Sequence, residues 1–514
     1  MEVIFIIGSN TKETHPVIAN NMIMAHRKGA KIIVADPRKV TMARFSEVYL
    51  PIRFGTDIAL LNGMANVIIN EGLWNKDFVN SSTEGFEEWK DTVSEYTPEK
   101  VAEITGVSKD LIIKAARLYG ASRKAGIFYT MGVTQHACGS DNVKAIANLA
   151  LLTGNIGRPY TGVNPLRGQN NVQGASDAGC APNVYPGYQK VDNPEIMERF
   201  QRAWGVELSP TPGLKSTEMI PAIVDGKIKA IYVMGENPVL AEPNANHTLK
   251  ALQHLDFLVV QDIFMSETAR LADVVLPAAC FAEKEGTFTN TERRVQRVRK
   301  AVEPPGEARD DLQILLEVSK RLGYEMKYNS PAEVLREFGS VWPALAGITY
   351  ERLEKGGIQW PCPDTGHPGT PYLYANGFPV GKPKFSKVTH IPPAEVNDEE
   401  YPFVLTTGRN LYQYHYGTMS RRVKEIEAHA GEAYVEINPL DAEAKGIADN
   451  DWIRLISRRG DLSVKARITN RVRPGTIFVP IHYQEAAANR LTNDALDPVV
   501  KIPEYKVCAV RVER

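Results

Sequence analysis

The stretches DPRKVTMARFSEVYLP, Asp36 to Pro51, and DIFMSETARLADVVLP, Asp262 to Pro277, align without a gap. Ala43-Arg44 falls on Ala269-Arg270, Glu47-Val48 on Asp273-Val274, and Leu50-Pro51 on Leu276-Pro277. What precedes each stretch also matches. A short apolar run, Val3 to Ile7 or Ala230 to Met234, stops at a Gly-x-Asn turn, Gly8-Ser9-Asn10 or Gly235-Glu236-Asn237. In the first copy a helical pattern follows from about Pro16 to Lys28, then a second apolar run, Lys31 to Ala35, ends at Asp36. In the second copy Phe257 to Gln261 ends at Asp262. Strand, glycine turn, helix and strand make a βαβ unit, the building block of parallel sheets. An internal repeat of such a unit predicts an α/β chain with two related, Rossmann-like nucleotide-binding halves.

The chemistry of these turns supports that reading. A glycine between strand and helix lets backbone N–H groups approach a phosphate, and the helix N-terminus favours negative charge. An acidic residue at the end of the next strand can accept hydrogen bonds from a ribose or a base edge. Neither copy contains GxGxxG, which disfavours a standard NAD site.

Working outward, Gly126 to Gly132 reads as another strand and turn, and Asn142 to Leu152 as a helix. The stretch from about Pro304 to Pro393 is rich in Pro and Gly and reads as a helical connection followed by a linker. Beyond Tyr401 the runs Phe403–Thr407, 433–438, 452–457, 462–469 and 476–481 are short and strand-like, a mostly β, barrel-like domain. The expected domains are 1–168, 169–310, 311–398 and 399–514. Within the 514 residues, 43% are hydrophobic, 24% are charged, and the net charge is -1. This balance gives no electrostatic case for a nucleic-acid or membrane-surface partner. No apolar run reaches the roughly 20 residues that span a bilayer. The five cysteines (Cys138, Cys180, Cys280, Cys362 and Cys508) form no CxxC pair. They read as small buried residues carrying reduced thiols in a cytoplasmic protein, with neither a zinc nor an iron–sulfur pattern.

Residues 162–179, GVNPLRGQNNVQGASDAG, are dense in amides and glycines. Such a run suits neither core strand nor helix. It suits a loop lining a polar pocket, with Arg167 available to a small anion.

The stretch Met131 to Gly179 resembles the active-site region of formate dehydrogenase catalytic subunits. Val259 to Gln296, Thr406 to Arg422 and Asn489 to Glu513 resemble the molybdopterin oxidoreductase family more broadly, and the resemblance covers essentially the whole chain. It implies a bis(molybdopterin guanine dinucleotide) cofactor with molybdenum or tungsten, and a C-terminal domain that is double-psi barrel-like. Gly8, Ser9, Asn10, Asp36 and Arg38, with Gly55, Asp57 and Gly132, would hold one guanine dinucleotide. Gly235, Glu236, Asn237, Asp262, Thr268 and Asp273 would hold the other. Arg167 matches the family's active-site arginine, which steers formate, with Gly168, Gln169 and Asn170 beside it against the cofactor. Gly408, Arg409, His415, Asn489 and Lys506 lie in stretches that close over the pterins. His136, in an apparent active-site loop, reads as a hydrogen-bonded structural residue.

The resemblance implies formate oxidation to carbon dioxide or its reverse, with electrons passed to iron–sulfur partner subunits, and no membrane insertion. Two alternatives stay open: another oxyanion as substrate, or a non-catalytic scaffold of the same fold. Family members also carry an N-terminal iron–sulfur domain and a cysteine or selenocysteine metal ligand followed by histidine. No Cys-His pair occurs here. The expectation is that both the ligand and the cluster lie before Met1, that the chain is an incomplete catalytic subunit, and that alone it does not oxidise formate.

Overall fold

The computed structural model describes residues 1–514. The chain divides into two units, one of residues 1–166, 240–247 and 372–514, the other of 167–239 and 248–371.

The first unit opens with a parallel sheet of β1 (Val3–Ile7), β2 (Lys31–Ala35), β3 (Val48–Leu50), β4 (Ala125–Tyr129) and β5 (Gly162–Pro165), in the order β3-β2-β1-β4-β5. Side chains alternate across a strand. In β1 this sends Val3, Phe5 and Ile7 into one apolar cluster and Ile4 and Ile6 into another on the opposite face. The second face is covered by helix α1 (Pro16–Arg27), through Ala19, Met22 and Ile23. The first is covered by helix α2 (Asp57–Asn70), through Ile58, Leu61, Ala65 and Ile68, and by helices 109–120 and 139–153. A strand covered on both sides must be apolar throughout, which is why VIFII shows no polar alternation. Each such side chain contributes about 1.5–3 kcal/mol on full burial.

The segment expected as a linker, 311–398, is shared between the units. Helices 311–321 and 331–341 pack in the second. In the first, Phe385 and Val388 enter the sheet's core, with Phe385 stacked on Trp89 at 4.6 Å. Asn62 and Asn148 donate to the Val388 and Ser386 carbonyls at 2.9 and 2.8 Å. A few apolar side chains in a Pro/Gly-rich run were enough to anchor it.

In the second unit, β6 (Ala230–Met234), β7 (Phe257–Asp262) and β8 (Val274–Pro277) form a parallel sheet in the order β8-β7-β6. A 3-10 turn, Ala269–Leu271, joins β7 to β8, just as Thr41–Phe45 joins β2 to β3. The repeat read from sequence is thus a repeat of structure. The second copy is less thickly covered: Tyr232, Met234, Phe257 and Val274 are exposed. Cys138, Cys362 and Cys508 are buried as expected, but Cys280 is half-buried and Cys180 exposed, both outside helices and strands.

The first unit ends in a closed barrel of 403–408, 476–480, 434–437, 461–468, 452–456 and 508–513. Two of its pairings are parallel and the rest antiparallel. A buried ion pair joins it to the sheet. Arg38, just after β2, donates through Nε and Nη2 to the two carboxylate oxygens of Glu436, both at 2.7 Å. Its guanidinium lies 3.7 Å from the ring centroid of Phe478. Gly408 permits this arrangement, because a Cβ there would come within 2.8 Å of the Phe478 ring. Arg471 adds a second link, donating to Glu13 at 2.6 Å and to Glu436 at 3.4 Å.

Removing one partner of a buried pair leaves the other charge uncompensated. Glu436→Ala should lower unfolding stability by about 3–5 kcal/mol, while the double change Arg38→Met with Glu436→Leu should recover most of that loss. Denaturant unfolding of the three proteins checks this. A Glu436→Ala midpoint equal to that of the parent would remove the pair from the account.

Candidate cofactor and substrate site

In the first unit the expected residues gather at the C-terminal ends of β1, β2 and β4, where ligands of open parallel sheets bind. Gly8 adopts φ +54° and touches the backbone of the β4 turn. A Cβ on Gly132 would lie 2.4 Å from the Gly8 carbonyl oxygen, and that oxygen accepts from Gly132 N–H at 3.1 Å and Thr130 Oγ1 at 2.7 Å. Only glycines allow two chain segments so close. Ser9 is buried and shares a hydrogen bond with Thr11. The Asn10 carbonyl accepts from the Thr14 hydroxyl, but its side-chain amide is buried with neither oxygen nor nitrogen partnered.

Two buried carboxyls stand close by. Asp36 accepts from Arg38 N–H at 2.9 Å, and burial pushes its pKa up to about 6 against the opposing pull of Arg38, Lys506 and Arg471. Asp57, at the start of α2, is raised by burial to about 7, with Asp36 adding to the shift. Gly55, just before it, packs against Pro393. From the barrel, the Lys506 ammonium donates to the Thr407 carbonyl at 2.8 Å; burial lowers its pKa to about 8 and the charge of Asp36 opposes that. His136 is buried, bonded through Nε2 to the Gly132 carbonyl at 3.0 Å, and held near pKa 4 by burial. The Nε2 bond agrees with a hydrogen-bonded ring, while Nδ1 is buried without a hydrogen-bond partner.

Arg409 and His415 sit on the loop after the first barrel strand. His415 has φ +50°, and burial followed by the Arg409 charge lowers its pKa to about 4. The loop is fixed by His482, a residue the sequence reading missed. One His482 nitrogen meets the His415 carbonyl at 2.5 Å and the other accepts Asn410 N–H at 2.8 Å, which defines a neutral ring. Asn489 donates to the carbonyls of Leu240 and Ala241 at 2.9 and 3.0 Å, and its buried side-chain oxygen has no partner.

In the second unit Gly235 has φ +62° with open space around it. The next positions are rigid. Asn237 donates to Glu267 at 2.6 Å, and its oxygen accepts from Thr268 N–H and Oγ1. Asp262 accepts from Ile263 and Phe264 N–H, and Asp273 from Leu258 N–H at 2.7 Å. Glu236 lies in the turn between Gly235 and Asn237. The loop Arg167 to Asn171 lies in this unit too. Arg167, Gly168 and Gln169 are half-buried, and Asn170 is exposed. Arg167 N–H donates to Thr291 Oγ1 at 3.1 Å, and its Nε donates to Gln173 Oε1 at 3.0 Å.

Residues 1–321 match the model of the molybdopterin oxidoreductase family, and residues 403–509 match that of the molydopterin dinucleotide binding domain. The chain is 52% identical to the F420-dependent formate dehydrogenase subunit alpha of Methanocaldococcus jannaschii, over 99% of this chain and 76% of that protein. It is 43% identical to formate dehydrogenase H of Escherichia coli, over 100% and 73% of the two chains. It is 38% identical to the assimilatory nitrate reductase catalytic subunit of Bacillus subtilis, over 99% and 74%. Acetylene hydratase from Pelobacter acetylenicus shares the fold, with a TM-score of 0.79 at 24% identity, covering 100% of this chain and 78% of that one. The chain belongs to the molybdopterin oxidoreductase family. It is an oxidoreductase built around a molybdopterin cofactor, and no helix is long and apolar enough to cross a membrane.

The residues fit such a cofactor. A buried amide without partners, two buried carboxyls and an ammonium held only by a carbonyl are costly unless a polar ligand completes their hydrogen bonds. Asp57 makes this measurable without the ligand. Its folded pKa, about 7, lies above the unfolded value of about 3.9. The folded chain therefore holds a proton that the unfolded chain gives up, and the associated stability is lost as pH rises from about 4 to about 7. Asp57→Asn removes that loss. In the cofactor-free chain it should be more stable than the parent by on the order of 2–4 kcal/mol at pH 8 and nearly equal at pH 4. Unfolding midpoints at the two pH values test this; a pH-independent difference contradicts it.

Proposed function

We propose that this chain is the cofactor-binding body of a formate dehydrogenase, converting formate to carbon dioxide, one proton and two electrons, or running the reverse. The observation that carries the reading is the Arg167 loop: a guanidinium pinned at its backbone and at Nε in an amide-lined, apolar-poor segment. Relatives named as formate dehydrogenases at 52% and 43% identity support it. A planar guanidinium meets a one-carbon carboxylate with paired, charge-assisted hydrogen bonds.

Gly8, Ser9, Asn10, Asp36, Asp57 and Gly132 would hold one dinucleotide of a bis(molybdopterin guanine dinucleotide) cofactor, the carboxyls accepting from the base and Asn10 finding its missing partners. Gly235, Glu236, Asn237, Asp262, Thr268 and Asp273 would hold the other. When bound, the group supplies a redox-active molybdenum or tungsten that can take up two electrons. Arg409, His415, Asn489 and Lys506 are suited to the pterin side, since burial keeps His415 a neutral ring and leaves Lys506 a donor. Arg38 contributes indirectly: its guanidinium is committed to Glu436, so it fixes the loop bearing Asp36. The electrons would pass to iron–sulfur partner subunits. Five free cysteines agree with a reducing cytoplasmic setting.

The full-length product of its own locus should be purified anaerobically and assayed for formate oxidation and nitrate reduction with an artificial dye. Formate turnover with molybdenum or tungsten bound is the expected result. Arg167→Lys should lower kcat/KM for formate by on the order of 10- to 100-fold at unchanged metal content. Nitrate reduction without formate oxidation would replace this reading with that of the Bacillus subtilis relative.

A further inference from the structure

Arg167 does not stand alone. Its Nε donates to Gln173 Oε1 at 3.0 Å. The amide nitrogen of Gln173 donates to Asp177 Oδ1 at 2.7 Å and lies 2.9 Å from the Tyr188 hydroxyl. That hydroxyl donates to the same Asp177 oxygen at 2.7 Å, and the indole N–H of Trp360 donates to the other at 2.8 Å. Gln173 and Asp177 sit four residues apart on the short helix Val172–Asp177, on one face, and both are buried. The helix start is fixed as well, because Asn171 accepts Thr289 N–H at 2.9 Å.

The chemistry gives this chain a direction. A carboxylate can only accept. With three donors converging on Asp177, the Gln173 amide must turn its nitrogen inward, and its oxygen therefore faces Arg167. A glutamine without such a partner can present either end, and the wrong end would set a donor against the Nε–H donor. We propose that Asp177, acting through Gln173, is a positioning residue that locks the guanidinium of Arg167 in one orientation toward a one-carbon carboxylate. The inference rests on the reading of Arg167 as the formate-binding group.

Asp177→Asn tests the lock. An asparagine has one accepting atom and one donating atom at the two positions where Asp177 accepts. With its oxygen on the Trp360 N–H, its amide nitrogen faces Gln173 and forces that amide to flip against Arg167; with the reverse placement its donor opposes the Trp360 N–H, and the displaced side chain no longer holds Gln173 in one orientation. Gln173→Glu tests the intermediary by placing a carboxylate directly on Arg167 Nε, where it competes with the substrate. Tyr188→Phe removes one of three donors and leaves the polarity intact.

The experiment uses the anaerobically purified enzyme, measuring KM and kcat for formate, metal content, and the rise in Tm on adding formate. For Asp177→Asn and Gln173→Glu, KM should rise about 5- to 20-fold with kcat changed less than about 2-fold. The formate-dependent Tm shift should shrink in step, with metal content unchanged. Tyr188→Phe should stay within about 2-fold of the parent in KM. An Asp177→Asn enzyme that loses metal and kcat while keeping its KM overturns the proposal and makes the network merely structural. Arg167→Ala is the reference. If it raises KM while Asp177→Asn and Gln173→Glu do not, the positioning role alone fails. If it leaves KM unchanged, the formate reading fails first.

Discussion

The first unit depends on one buried contact, the two-pronged hydrogen bond between Arg38 and Glu436. Burying a guanidinium and a carboxylate costs several kcal/mol for each ion, recovered only when the geometry is close and the remaining donors are satisfied. Here the carboxylate takes both prongs, the Phe478 ring covers the guanidinium, and Arg471 approaches the same carboxylate from a second side. The contact sets where the barrel sits on the end of the sheet. Through the Arg38 N–H it also sets the carboxyl of Asp36. Lys506 and Thr407, the barrel's contribution to the site, are therefore placed by a pair that touches neither.

The site in this unit shows what its residues need. Proteins seldom leave a buried amide without partners, or bury two carboxyls beside an ammonium held by a lone carbonyl. Asn10, Asp36, Asp57 and Lys506 together do so, beside the C-terminal ends of the first sheet's strands. In the second unit the corresponding turn is already tied down through Asn237 and Thr268, and Gly235 is the position with open space. The two copies share a fold and differ in how much of their hydrogen bonding they complete internally.

Much of the fold was legible in the sequence because its signals are local. VIFII and AIYVM are bounded by glycine turns, and the strands they form begin and end where the apolar runs do. Barrel order was not legible, since the first barrel strand pairs with 476–480 and 508–513, and no local pattern encodes a partner that distant. The same holds for the site. Gly8, Asn10 and Asp36 could be named from turn chemistry. His482 could not, because its role comes from a parallel strand lying beside 403–408 in the closed barrel. The family resemblance gave Arg38 to a dinucleotide, and no local pattern pointed to its bond with Glu436, 398 residues further on. The run 162–179 read as a loop, yet 172–177 forms a short helix that sets Gln173 on Asp177, and the other two donors, Tyr188 and Trp360, come from loops outside it.

That separation of 398 residues has a consequence in time. A ribosome adds about 5–20 residues per second, so Glu436 emerges on the order of 20–80 s after Arg38. Until then β1 to β5 can pair, but the strand ends bearing Gly8, Asn10 and Asp36 lack their barrel cover, and the core still awaits Phe385 and Val388. Closure of the first unit is thus a late event of biosynthesis, and the cradle stays open to the surrounding solution throughout the making of the second.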